Sequence, residues 1–174
     1  MCADVRKRTF VCSVIPEHQA RHGHDPAQTL ASRPISPARD DDTIRDLLGA
    51  PRVWAVVGCS PSPYRDSHRI AALLLERGND VIPVNPAADE VLGRPCHPGL
   101  TELPAGTHVD VVDIFRRADA AGAHVDEAIA IGAKAVWMQL GVIDEAAAER
   151  ARAAGLAVVM DRCPAIEIRR LGLG

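Results

Sequence analysis

The sequence predicts a doubly wound α/β domain in which a parallel, five-stranded, Rossmann-like sheet carries helices on both faces. Five short apolar runs, at residues 53–57, 81–84, 109–115, 135–140 and 157–160, start about 22–28 residues apart, the spacing of strand–helix–strand units. Runs such as Val53-Trp54-Ala55-Val56-Val57 are apolar at every position, which implies burial on both faces and hence a parallel sheet between helices. Helical stripes separate most of the runs and stop at Gly78, Gly132 and Gly155, where a left-handed cap is expected. The expected strand order, counted along the chain, is 3-2-1-4-5.

The elements follow in order. Residues 1–42 mix six basic with six acidic residues, four prolines and the histidines His18, His22 and His24. Only residues 9–15 form an apolar stretch there, so an N-terminal extension without stable structure is expected, followed by a domain spanning 43–174. The histidines read as part of a solvated tail rather than as metal ligands. Asp42 or Thr43 is expected to cap a short helix that puts Ile44, Leu47 and Leu48 on one face and ends at Gly49. After the first strand, residues 67–77 align Ile70, Leu73 and Leu74. After the second, the segment NPAADEVLGRPCHPGLTELP is irregular, with at most a short helix around Leu100. Residues 118–131 align Ala121, Val125, Ala128 and Ile129, and residues 144–154 align Ala147, Ala151 and Ala154.

Composition narrows the function classes. The 174 residues carry 20 Lys+Arg against 23 Asp+Glu, a net charge of -3, which argues against a general nucleic-acid binder. Aromatic residues make up 3%, too few for base-stacking platforms. No apolar run approaches the roughly 18 residues of a membrane span, and the start does not read as a secretory signal, so a soluble protein with no membrane partner is expected. Cys2, Cys12, Cys59, Cys96 and Cys163 are dispersed and odd in number, with no Cys-x-x-Cys pair, which suits a reducing cytoplasm.

In a sheet of this kind, ligands bind beyond the carboxyl ends of the strands where the strand order reverses. The loop after the first strand, Gly58-Cys59-Ser60-Pro61-Ser62-Pro63-Tyr64-Arg65-Asp66-Ser67-His68-Arg69, is therefore the candidate site. Gly58 permits close backbone approach, and the amides of a helix beginning near Ser67 attract phosphate. Arg65 and Arg69 supply charged forks for phosphate oxygens, whereas Asp66 opposes a bound anion. A strand–helix turn with Ser67 as a simple cap is the plainer reading. The loop lacks G-x-G-x-x-G, and the second strand ends in Val84-Asn85-Pro86 with no ribose-binding acid, which disfavours NAD. No P-loop occurs either. A different phosphate-bearing nucleotide is expected.

VVGCSPSPYRDSHRIA, VIPVNP, LGRPCHPGL, VDVVDIFRR, AVWMQLG and VVMDRCP occur in this order over most of residues 43–170. Together they resemble the stand-alone CoA-binding protein family, whose domain is similar to the CoA-binding domain of the succinyl-CoA synthetase alpha subunit. The resemblance implies that Gly58, Ser60, Ser67 and Arg69 form the phosphate-facing loop. It places Val84, Asn85 and Pro86 on the adenine and ribose side, with Phe115 and Arg116 supplying an apolar face and a charge. The 3′-phosphate is left to Arg65, Arg94 or Arg117. Gln139 and Gly141, at the end of the fourth strand, are expected to face the cleft within reach of the pantetheine arm, while Trp137 and Met138 read as packing.

Coenzyme A, free or acylated, is thus the expected ligand of a module without evident catalysis of its own, acting alone, as a homo-oligomer or beside a separately encoded enzyme. In the synthetases, acyl transfer needs a phosphorylated histidine and a nucleotide-grasp domain, and the short segment after VVMDRCP leaves no room for them. The chain shows no supported nucleophile–base set and no metal-ligand spacing. A small NAD(P)-linked reductase and an interaction protein with a vestigial nucleotide site are the competing readings. Cys163, beside Arg162 on the ligand side, is either the plain end of a strand or a thiol able to exchange with the coenzyme.

Overall fold

Nearly every strand of the sheet is apolar on both faces, and two layers of helices cover it. The computed structural model describes residues 37–173, so the expectations for residues 1–36 lie outside the described residues. Along the chain, α1 (Pro37–Gly49) leads to β1 (Val53–Val57), α2 (Asp66–Glu76) and β2 (Asp80–Val84). A hairpin of β3 (Glu90–Val91) and β4 (Arg94–Pro95) and a 3-10 turn at Leu100–Glu102 come next. The chain continues through β5 (Val111–Ile114), α3 (Ala118–Ala130), β6 (Ala135–Met138), α4 (Glu145–Ala153), β7 (Ala157–Val159) and α5 (Pro164–Leu171). The expected helix start at Asp42 or Thr43 falls inside α1, which begins at Pro37.

The main sheet is parallel, with the order β2-β1-β5-β6-β7. Counted along the chain this is 2-1-3-4-5, and it corrects the expected 3-2-1-4-5. The third strand joins β1 on the side away from β2, pairing Val57 with Ile114, instead of lying outside β2. Two physical reasons fix this. Val111, Val112, Asp113 and Ile114 are fully buried, as a central strand requires. Strand β2 contains Pro83, which has no N–H for a ladder and belongs on an edge. Its carbonyl points outward, where it accepts the N–H of His97 at 3.0 Å.

Alternation along the strands sorts the core. Ala55, Val57, Val112, Ile114, Val136 and Met138 pack with the alanine stripes of α3 and α4. Trp54, Val56, Val111 and Trp137 pack on the other face with α1, α2 and α5. The two indoles lie 5.8 Å apart, tilted by 53°. Each donates its N–H, Trp54 to Asn79 Oδ1 at 3.1 Å and Trp137 to the Arg162 carbonyl at 2.8 Å. Asp144 caps α4, accepting the Ala147 amide at 2.9 Å.

Candidate functional site

The reversal of strand order lies between β1 and β5, so the loop after β1 and the residues after β5 form one crevice. Gly58 sits at its base with φ +80°, and a Cβ there would come within 2.5 Å of the Phe115 carbonyl and 3.2 Å of Arg116 Cδ. Only glycine lets the two strand ends meet this closely. The turn is then locked in place. Gly58 donates its N–H to Val84 O at 2.8 Å, and Phe115 donates to Val57 O at 2.9 Å. Asn85 donates its side-chain amide to Cys59 O at 2.8 Å and accepts the Ala87 N–H at 3.0 Å. Ser67, 5% exposed, accepts the Ser60 N–H at 3.1 Å, and the His68 ring bonds Ser60 O at 3.0 Å.

The result is a cavity of about 290 Å³ lined by Gly58, Ser60, Arg65, Asp66, Ser67 and Phe115. The N-terminus of α2 opens here with Arg65 as its flanking residue and no side chain capping its amides, which leaves the helix end suited to an anion. Arg65 and Arg116 are distinctive. Among the arginines whose side chains the structure describes, these two alone have neither a carboxylate nor a carbonyl partner. Arg69 is bonded to Asp66 across one turn of α2, and Arg94 and Arg117 are bonded to Asp80 and Asp119.

The expected residues thus separate into three places. Gly58, Ser60, Arg65 and Ser67 surround one cavity. Arg116 joins Phe115 and Arg117 in a second, of about 530 Å³. Arg69 belongs to a third, of about 500 Å³, between α2 and α5. Val84, Asn85 and Pro86 line none of these cavities; Val84 is buried, and Asn85 is spent on shaping the turn. Phe115 borders all three cavities.

The third cavity holds what the sequence did not expose. Helix α5 supplies one wall through Ala165, Ile166 and Arg169, beside Cys163 and the β6 exit at Gln139 and Leu140. The signal for α5 was present in Pro164 at a first helical turn and Gly172 after the last, where φ is +64°. Beneath Phe115 on the same face of β5 lies Asp113, fully buried. Gln139 donates to its Oδ1 at 2.6 Å, while Oδ2 has no partner. Burial pushes the Asp113 pKa up to about 7, only partly offset by the Gln139 hydrogen bond. Burial, with smaller contributions from Cys96 and Asp113, also drives the Cys59 thiol up to about 12. Among the described residues no cluster of His, Cys, Asp and Glu suited to a metal occurs, and no helix is long and apolar enough to cross a membrane.

The domain has counterparts among known proteins. The family model described as "CoA binding domain" matches residues 52–169. An "uncharacterized protein YneT" of Bacillus subtilis (strain 168) is 33% identical over 120 residues, covering 69% of this chain and 87% of its own. A solved "hypothetical protein" from Pyrococcus horikoshii OT3 is 42% identical with a TM-score of 0.73, covering 82% of this chain and 98% of that one. The apo form of the Ca. Korarchaeum cryptofilum dinucleotide forming acetyl-coenzyme A synthetase 1 is 27% identical with a TM-score of 0.58. That match covers 67% of this chain and 28% of the synthetase. From the residue before β1 to the last turns of α5, the chain belongs to the CoA binding domain family.

Proposed function

We propose that the protein binds coenzyme A across the β1/β5 crevice, with the diphosphate over the Gly58–Ser60 turn between Arg65 and Arg116. One observation carries this reading. Among arginines otherwise neutralised by carboxylates or tied to carbonyls, the two left unpaired flank the glycine turn and an uncapped helix start. Two unpaired guanidiniums at a helix N-terminus suit a dianionic ligand. The similarity of this domain to part of an acetyl-coenzyme A synthetase points to the same coenzyme.

Each residue has a distinct task in this reading. The Gly58 and Ser60 backbone admits phosphate oxygens at close range, and Ser67 fixes the turn through its bond to the Ser60 amide. Arg65 and Arg116 orient the diphosphate. Val84, Asn85 and Pro86 border the adenine and ribose, Asn85 by holding the proline turn against Cys59. Phe115 and Gln139 lead the pantetheine arm into the cavity between α2 and α5. When bound, coenzyme A supplies a thiol that carries acyl groups. The chain itself acts as a binding module of the cytoplasm, a carrier or sensor with no catalysis of its own.

Calorimetric titration with coenzyme A, dephospho-coenzyme A, NAD and ATP tests this. Selective binding of coenzyme A is expected. Selectivity for NAD would favour a reductase instead, and no heat with any ligand would leave an interaction protein.

A further inference from the structure

The cavity between α2 and α5 is larger and more apolar than a diphosphate needs. Its walls include Ile70 and Leu73 from α2, Phe115 after β5, Leu140 after β6, and Cys163 and Ile166 at α5. It shares Asp66 and Phe115 with the cavity at the glycine turn, so a ligand held at that turn has a direct way in. Two of the apolar side chains here are exposed. Leu140 is 55% and Ile166 45% exposed, and with Ile143 and Tyr64 they are the large hydrophobic residues left open to water among the described residues. Exposed large apolar groups gathered in a concave surface mark a ligand site more than scattered exposure does.

The polar groups of the cavity are mostly engaged already. Arg69 is bonded to Asp66, Arg169 donates to Ala165 O, and Gln139 donates to Asp113. An aliphatic chain makes better use of these walls than a polar one.

We propose that the protein is built to hold coenzyme A as an aliphatic acyl thioester, with the acyl chain lying between Leu73, Leu140 and Ile166. This rests on the coenzyme A reading above. It adds a selectivity for the acyl group that the phosphate site cannot provide. Burial of each methylene is worth up to about fourfold in affinity. Affinity therefore climbs with chain length until the part of the cavity of about 500 Å³ that the pantetheine arm leaves open is full.

The test is calorimetry with coenzyme A and with acetyl-, butyryl-, hexanoyl-, octanoyl- and succinyl-coenzyme A. At least about threefold tighter binding is expected for each two-carbon step from acetyl to hexanoyl. Butyryl is expected to bind more tightly than succinyl. Ile166→Asp, on an exposed helix face, should flatten the series, read as the ratio of octanoyl to free coenzyme A within each protein.

A flat series with coenzyme A still bound would overturn the acyl proposal and leave the coenzyme A reading intact. No binding of any member would overturn both. Succinyl binding more tightly than butyryl would also reject an apolar acyl chain. So would a flat series accompanied by a concentration-dependent dimer in native mass spectrometry, since a second copy would then cover Leu140 and Ile166.

Discussion

Replacing Asp113 with Asn should raise stability at neutral pH and leave it unchanged near pH 3. Asp113 is fully buried in β5, with Gln139 on one oxygen and nothing on the other. Its pKa rises from the ordinary 3.8 to about 7. Below about pH 3 the carboxyl is protonated in both folded and unfolded chains, and burial of the neutral acid carries no ionisation cost. Between pH 4 and about 7 the unfolded chain ionises while the folded chain keeps its proton, so stability falls as pH rises. Above about 7 the folded chain ionises too, and the loss is complete at on the order of 4 kcal/mol. The side-chain amide introduced by Asp113→Asn would keep the acceptor for Gln139 without ever ionising. Urea unfolding followed by the fluorescence of the buried Trp54 and Trp137 measures the difference directly. At an m-value of about 2 kcal/mol/M, the variant's midpoint at pH 8 should exceed the parent's by roughly 2 M, with coincident curves near pH 3. Groups common to both proteins cancel. Midpoints that stay parallel from pH 3 to 8 would refute a proton held on Asp113.

The remaining predictions concern the crevice. Arg65→Ala and Arg116→Ala should each weaken coenzyme A by about 1.5–3 kcal/mol in calorimetry, with no change in melting temperature because neither guanidinium has a protein partner. Arg69→Ala should cost less, since Arg69 is already bonded to Asp66. Gly58→Ala should destabilise the fold by about 1–2 kcal/mol from its left-handed backbone alone, more from the 2.5 Å approach to Phe115 O, and should abolish coenzyme binding. Alkylation with peptide mapping should modify Cys163 and spare Cys59, which is fully buried with its thiol pushed up to about 12. Coenzyme A should protect Cys163, which lines the cavity between α2 and α5.

The five strands and the four helices beside them were legible because their signals are local. Apolar runs, stripes at helical spacing and terminal glycines can all be read in windows of a dozen residues. Strand order is a pairing of distant segments, and periodicity says nothing about it. Pro83 was the one local clue, since a missing N–H fits an edge strand, and it places β2 outside β1. The β3–β4 hairpin was hidden for a different reason. Its two-residue turn puts Leu92 at φ 56° and Gly93 at φ 71°, and leucine is not a residue that announces such a turn. At the site, the glycine turn and Arg65 could be named from sequence. That Arg69 is taken up by Asp66 while Arg116 stays unpaired is a matter of side-chain geometry. Asp113 looked like one more position in an apolar strand. Its isolation emerges only when the neighbouring strands and Gln139 are in place.

A crystal structure of the protein grown with coenzyme A tests the central claim most directly. The diphosphate should lie over Gly58 and Ser60, with Arg65 and Arg116 within hydrogen-bond reach of its oxygens and the pantetheine arm passing Phe115. A coenzyme bound elsewhere, or a diphosphate met by neither arginine, would contradict it.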